Sequence, residues 1–123
     1  MLPAQGKITL PLGHGPTDYR QQVLATGQRA ETQYQRLAYS PHLQASLVQI
    51  RLLTGRTHQI RAHFAAIKHP LLGDALYEGP LDRGIQRPAL HAVQLSFQDP
   101  FELIQRHLQA PLPDDLRQLK NHA

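Results

Sequence analysis

The chain has 123 residues, 41% of them hydrophobic and 18% charged, a balance that suits one folded domain spanning 1–123 and excludes a disordered polyelectrolyte. Thirteen basic residues against nine acidic ones give a net charge of +4, and eight histidines can add to it as pH falls, which suits either a polyanionic partner, nucleic acid first, or a basic surface serving solubility. The absence of cysteine excludes disulfides and thiolate metal sites, and no apolar run approaches the ~20 residues of a membrane span, so no membrane partner is expected. Residues 1–6 (MLPAQG) lack the basic and apolar regions of a signal peptide, and a cytoplasmic location is the expectation.

In chain order, Gly6–Leu10 (GKITL) reads as a short strand ended by Pro11. Leu12–Asp18 (LGHGPTD) reads as a loop by its Gly, Pro and Asp content, and Tyr19–Ala25 as a second strand before a turn at Gly27. Arg29–Tyr39 and Leu43–Leu53 read as an antiparallel hairpin across Ser40-Pro41-His42, with Leu43, Ala45, Leu47 and, less strictly, the later apolar residues on the buried face of the second strand. A helix follows, with Thr57 as the candidate cap and Ile60, Phe64, Ile67 and Leu71 spaced 4-3-4 on one face. Pro70 stops it near Lys68 or His69. Leu71–Tyr77 is a compact turn segment and Glu78–Pro88 a polar, mobile loop. Ala89–Phe97 and Phe101–Leu108 read as two more strands separated at Asp99-Pro100, the first with an irregular step at Ala92. After a loop at Ala110–Pro113, Asp114–Lys120 reads as a short C-terminal helix with an aspartate near its start. Strands outnumber helices, so the expected class is α+β: a mainly antiparallel β-sheet with one central helix and a short C-terminal helix.

The charges concentrate at the central helix, in LTGRTHQIRAHFAAIKHP. A helix N-terminus carries free N–H groups and a partial positive charge, and Arg56 and Arg61 beside it make a concentrated anion site. The 3-4-3 spacing of His58, Arg61, Ala65 and Lys68 puts them on a face distinct from that of Ile60 and Phe64, and Gln59 adds an amide that donates and accepts. The anion can be a phosphate, with Arg56 and Lys68 positioning a nucleic acid, or a carboxylate in a buried Arg–Asp pair. A solvated basic face is the bland alternative, and the Gly55 turn and the flanking Gly73-Asp74 make the stretch more specific than that. His58, His63 and His69 are five and six residues apart, off the i, i+4 spacing of a helical zinc site, so no metal site is expected. His91, inside a strand, reads as a buried, hydrogen-bonded side chain. There is no phosphate-binding glycine loop, no dinucleotide fingerprint and no nucleophile elbow.

LTGRTHQIRAH, HPLLGDALY, RPALHAVQLSF and QAPLPDDL follow one another as they do in RluA/RluD-type RNA pseudouridine synthases, which this chain resembles over almost its whole length. GKITLPLG and GQRAETQYQRL resemble the segment after that family's catalytic core. The resemblance implies a cofactor-free isomerase that detaches uridine at N1–C1′, turns the base and joins C5 to C1′, on ribosomal RNA first and transfer RNA second. It implies that an aspartate in an H-R-L-D motif performs the key step, that Arg61 is the arginine pairing with it, and that Arg56, Thr57, His58, Gln59 and Lys68 face the RNA. H-R-L-D occurs nowhere in the sequence, nor does the family's base-packing tyrosine motif, in which Tyr19, Tyr34, Tyr39 and Tyr77 do not sit. Smaller departures are His14 for arginine, Gln28 for lysine, Asp99 for histidine, and the lack of a turn glycine at Phe101-Glu102-Leu103. The chain is therefore expected to be the C-terminal half of a synthase catalytic domain, inactive alone. A fragment, one part of a split enzyme and a non-catalytic RNA-binding paralogue are the alternatives. An apolar edge left by a missing N-terminal half would favour self-association.

Overall fold

The computed structural model describes residues 2–14, 20–90, 94–98, 105–109 and 113–121. The strands are β1 (Gln5–Ile8), β2 (Leu12–His14), β3 (Gln21–Val23), β4 (Thr32–Ser40), β5 (Ala45–Leu52), β6 (Gln94–Gln98) and β7 (Gln105–Gln109). The helices are α1 (Gln59–Ala66) and α2 (Asp114–Asn121), with a 3-10 turn at Ala75–Tyr77 between them. All described pairings are antiparallel: a three-stranded sheet in the order β1-β4-β5, and the two-stranded pairs β2-β3 and β6-β7. The architecture is α+β as expected, with three corrections of detail in its first half.

Leu12–His14 is a strand, not a loop. It pairs with Gln21–Val23, and Leu12 exchanges both main-chain hydrogen bonds with Gln28, so the residues around Gly13 are held extended despite a composition that suggests a turn. The expectations for residues 15–19 fall outside the described residues, as do those on His91, Ala92, Asp99-Pro100 and Phe101–Glu102–Leu103.

Within β5 the buried face is carried by the later apolar residues and not by Leu47. LQASLVQIRLL carries two interleaved apolar series that change parity between Leu47 and Val48. Tyr34 faces Ile50 and Arg36 faces Val48 across the β4–β5 ladder, so Val48 and Ile50 turn to the core while Leu47 is exposed. A bulge between Arg36 and Ala38 leaves Leu37 without a ladder partner and outside the core. β5 is an outer strand of its sheet, and Leu47, Leu52 and Leu53 lie exposed along it.

Helix α1 packs on both sides. Its Ile60, Phe64 and Ile67 meet Leu2, Ile8, Tyr34, Val48 and Ile50 of the three-stranded sheet, as the 4-3-4 spacing predicts. Phe64 meets the Tyr34 ring edge to face, centroids 5.5 Å apart, and burial of a side chain of this size contributes about 2–3 kcal/mol. On the other side the small residues Ala62 and Ala65 let Leu12, Ala30 and the Tyr77 ring approach.

The helix starts and stops differently from expectation. Thr57 does not cap it. The capping residue is His58, in a left-handed backbone (φ 50, ψ 26) and with no side-chain cap bond. The preceding turn is closed instead by the side chain of Gln59, whose Oε1 accepts from the Arg56 N–H at 3.0 Å. At the far end Lys68 is left-handed (φ 67), its N–H meets the Ala65 carbonyl, and the His69 N–H reaches back to Phe64. This is a Schellman closure with lysine where glycine is usual, and it ends the helix at Ala66, before Pro70 acts.

The loop at residues 78–88 is anchored, not free. Ile85 is buried, the Arg83 guanidinium donates to the Leu43 carbonyl, and Arg87 makes a two-pronged pair with Asp115 of α2 at 2.8 and 2.9 Å. That pair holds the Asp115 carboxyl below its ordinary value.

Candidate active site

A row of buried hydrogen bonds fixes where α1 begins. Gln59 is 3% exposed, and its amide makes four bonds: Nε2 donates to the Glu31 carbonyl and to Thr32 Oγ1, and Oε1 accepts from Thr54 Oγ1 and the Arg56 N–H. Thr32 passes its own proton to His63 Nδ1 at 2.8 Å, and His63 Nε2 donates to the Leu10 carbonyl at 2.8 Å. A carbonyl only accepts, so His63 carries its proton on Nε2 and is neutral. Gln59 and His63 are thus clamps inside the fold. Gln59, expected to face RNA, borders the depression beside Arg61, but both ends of its amide are spent on this chain.

His63 has a consequence for stability. Burial pushes its pKa below the ordinary 6.5, and burial and Arg61 do the same for His58. In the unfolded chain both rings protonate near 6.5, whereas in the fold they resist, so the unfolded state binds more protons as pH falls. Stability should therefore be full above about pH 7 and decline as pH drops through 6.5. Urea midpoints at about pH 7.5 and pH 5.5 check the sign. The lower pH should give the lower midpoint, and His63→Gln should flatten the difference.

The exposed end of the row is the candidate site. Arg61, two residues into α1, donates from Nε to Asp74 Oδ2 at 2.9 Å and from Nη2 to Oδ1 at 2.8 Å. Asp74 is fully buried and the Arg61 side chain is 20% exposed. The pair raises the Arg61 pKa further, so the guanidinium is charged at every working pH. The resemblance puts the acid for Arg61 in the H-R-L-D motif, which this sequence does not hold. One edge of the guanidinium is already taken by an acid within this chain, and Nη1 is the nitrogen Asp74 leaves. The Arg61 cation also sits 5.2 Å from the centroid of the Tyr77 ring.

Tyr77 binds the neighbourhood together. Its buried hydroxyl accepts from the Gln21 N–H at 2.9 Å and lies 3.1 Å from His58 Nδ1, and the two rings meet edge to face with centroids 5.8 Å apart. Burial pushes its phenol pKa up, so it stays protonated. Gln21 in turn reaches His14, ring nitrogen to amide nitrogen, at 3.0 Å.

Two open depressions flank this cluster. One, of about 230 Å³, is lined by Leu52, Arg56, His58, Gln59, Ile60, Arg61 and Leu90. The other, of about 440 Å³, runs along β2 and β3 past His14, Gln21 and Gln28 and reaches Arg56 and Thr57. Arg56 borders both, its Nε donating to the Arg29 carbonyl at 2.8 Å. Of the expected site residues, Arg56, Thr57, His58, Gln59 and Arg61 therefore gather here. Lys68 does not: it lies beyond the far end of α1, about 12 Å along the axis by helix rise, and its left-handed backbone takes it off the Arg61 row.

In sequence Tyr77 has no assigned role and Asp74 stands only as a flanking residue. A signal for Asp74 was present, because it is the only acidic residue between Glu31 and Glu78 and follows a glycine in a compact turn. Tyr77 had no such signal, since its partners His58 and Gln21 are 19 and 56 residues away. Among the described residues no cluster of three or more acidic, His or Cys side chains is arranged for a metal, and no helix is long and apolar enough to cross a membrane.

Similarity to known proteins places this geometry in a family. The profile of RNA pseudouridylate synthases matches residues 2–66, more than half of the chain. Ribosomal large subunit pseudouridine synthase D of Xylella fastidiosa is 38% identical over 129 aligned residues, covering 93% of this chain and 38% of that protein. The RNA pseudouridine synthase YhcT of Bacillus subtilis is 41% identical over 120 residues, covering 94% of this chain and 38% of the relative. The chain thus spans well under half the length of these relatives. In structure, human RNA pseudouridylate synthase domain containing 1 superposes with a TM-score of 0.75 over 97% of this chain and 54% of its own, at 23% identity, which speaks for a shared fold. By the residues it shares with this group, the chain belongs to the RNA pseudouridylate synthase family.

Proposed function

We propose that this chain supplies the cationic, uridine-facing part of an RNA pseudouridine synthase site, working in the cytoplasm on ribosomal RNA, with transfer RNA the second choice. The observation that carries the reading is the Arg61 guanidinium, gripped along one edge by buried Asp74 and facing an open depression with Arg56 and His58. A cation fixed this way keeps its place without reorganising when a second negative group arrives. Arg56 offers charge for the phosphate backbone. Ribosomal RNA is favoured because relatives at 37–38% identity carry that substrate in their names. The reacting aspartate comes from a segment outside this sequence, which holds no H-R-L-D. Leu47 and Leu52 of β5, and Leu53 just after it, are exposed and offer that segment, or a second copy of the chain, an apolar face.

Joining C5 to C1′ displaces the hydrogen at C5, so release of tritium from 5-tritiated uridine in ribosomal RNA follows the reaction directly. The chain alone should release none. Co-expressed with the H-R-L-D-bearing segment of a relative, it should release tritium, and Arg61→Met should lower that rate about 10²- to 10³-fold. Turnover by the isolated chain would overturn the assignment of the aspartate to another segment.

A second reading, an RNA-binding module without catalysis, draws on the same pair, because Asp74 already neutralises Arg61 as a purely structural partner does. It predicts affinity for RNA that weakens with salt, a slope reduced by about one on Arg56→Ala, and no tritium release from the co-expressed pair.

A further inference from the structure

The imidazole of His58 lines the depression beside Arg61, yet the reading above gives it no task. Its protonation is settled by a chain of hydrogen bonds that starts on the opposite side of Tyr77. The Gln21 main-chain N–H can only donate, and it donates to the Tyr77 hydroxyl at 2.9 Å. The phenol proton then needs an acceptor of its own in a buried position. His58 Nδ1, 3.1 Å away, is the acceptor within reach among the described residues. A nitrogen that accepts holds no proton, so the ring proton belongs on Nε2. The edge-to-face contact with Tyr77, at 85° between planes, and the left-handed backbone at His58 fix where the ring stands.

We propose that Tyr77 is a positioning residue that holds His58 as a neutral imidazole with its proton on Nε2, and that this N–H is offered to a carbonyl oxygen of the uracil base. The proposal rests on the synthase reading and deepens it. Charge for phosphates is already present in Arg56 and Arg61, and a neutral donor adds something different. A phosphate would draw a second proton onto the ring, which would require Nδ1 and break the bond from Tyr77. A carbonyl takes the single N–H and leaves the ring uncharged. The surrounding groups favour that state: burial, Arg61 and His14 all disfavour the imidazolium, and only Asp74, itself engaged by Arg61, opposes them.

Nitrogen-15 NMR of the labelled chain tests the first half, with the His58 ring signals assigned by their loss in His58→Gln. At neutral pH the ring should show the pattern of a single Nε2–H tautomer. In Tyr77→Phe, which keeps a ring under Arg61 and removes only the hydroxyl, the tautomers should mix and the ring should titrate at higher pH. A wild-type ring that is mixed or protonated on Nδ1 overturns the role of Tyr77, whether or not the variant folds. A short oligouridylate tests the second half against an oligomer of abasic ribose phosphates. The oligouridylate alone should shift the Nε2–H signal, and Tyr77→Phe should weaken its binding about five- to tenfold. An equal response to the abasic oligomer, or none to the oligouridylate, overturns the carbonyl assignment. Tritium release is read separately, so the synthase reading can fall while the tautomer stands, and the reverse.

Discussion

Asp74→Ala should lower the unfolding free energy by about 3 kcal/mol, the lower end of what removal of one member of a buried ion pair costs. The lower end applies because the Arg61 side chain keeps a 20% opening through which water can solvate the orphaned cation. Asp74 is fully buried, so the variant also leaves a hole in the turn that carries it. Urea unfolding with a fitted slope gives the number. The reverse half of the pair separates structure from function. Arg61→Met should cost a similar amount by leaving a buried carboxylate, whereas Arg61→Met combined with Asp74→Leu should recover much of the stability and none of the tritium release. A double variant whose loss equals the sum of the losses of Arg61→Met and Asp74→Leu would show that the pair is not energetically coupled.

Gly73→Ala should be comparably severe through a different cause. Gly73 has φ +77, and a Cβ there would lie 2.1 Å from the Arg87 carbonyl oxygen, which is main chain and has nowhere to go. The Gly73 N–H is bonded to the Pro80 carbonyl, and the Ala89 N–H to the Leu72 carbonyl, so the two segments are stitched together at this point. Left-handed strain adds about 1 kcal/mol and forced repacking about 1–3 kcal/mol, a total near 3 kcal/mol. Gly84 provides the comparison: it is also left-handed, φ +89, but nothing lies within 4 Å of its Cβ position. Gly84→Ala should therefore cost only the strain, about 1 kcal/mol. Equal losses in thermal unfolding for the two variants would remove the steric argument. Because Asp74 is the next residue, Gly73→Ala should also loosen the grip on Arg61 and lower the tritium release expected of the co-expressed pair.

How far the sequence could be read follows from what each signal depends on. The helix core face was legible because Ile60, Phe64 and Ile67 belong to one local period and need no partner to be seen. The β5 face was not, because two apolar series overlap and only the pairing with Tyr34 and Arg36 decides between them. The charged helix start was legible as a cluster, and Arg56, His58 and Arg61 do stand together. What each does was not, because it turns on contacts made far along the chain: Arg61 with Asp74, His58 with Tyr77, Gln59 with Glu31 and Thr32. An amide such as Gln59 looks the same in sequence whether it greets a ligand or closes a core.

The amide of Gln59 also decides when order is bought. With one side chain bonded to Thr54, Arg56, Glu31 and Thr32, the backbone just ahead of α1 has lost its freedom before any nucleic acid arrives. The entropy of arranging Arg56 and Arg61 is therefore charged to folding and not to association. On this side of the site the template is stiff before anything binds.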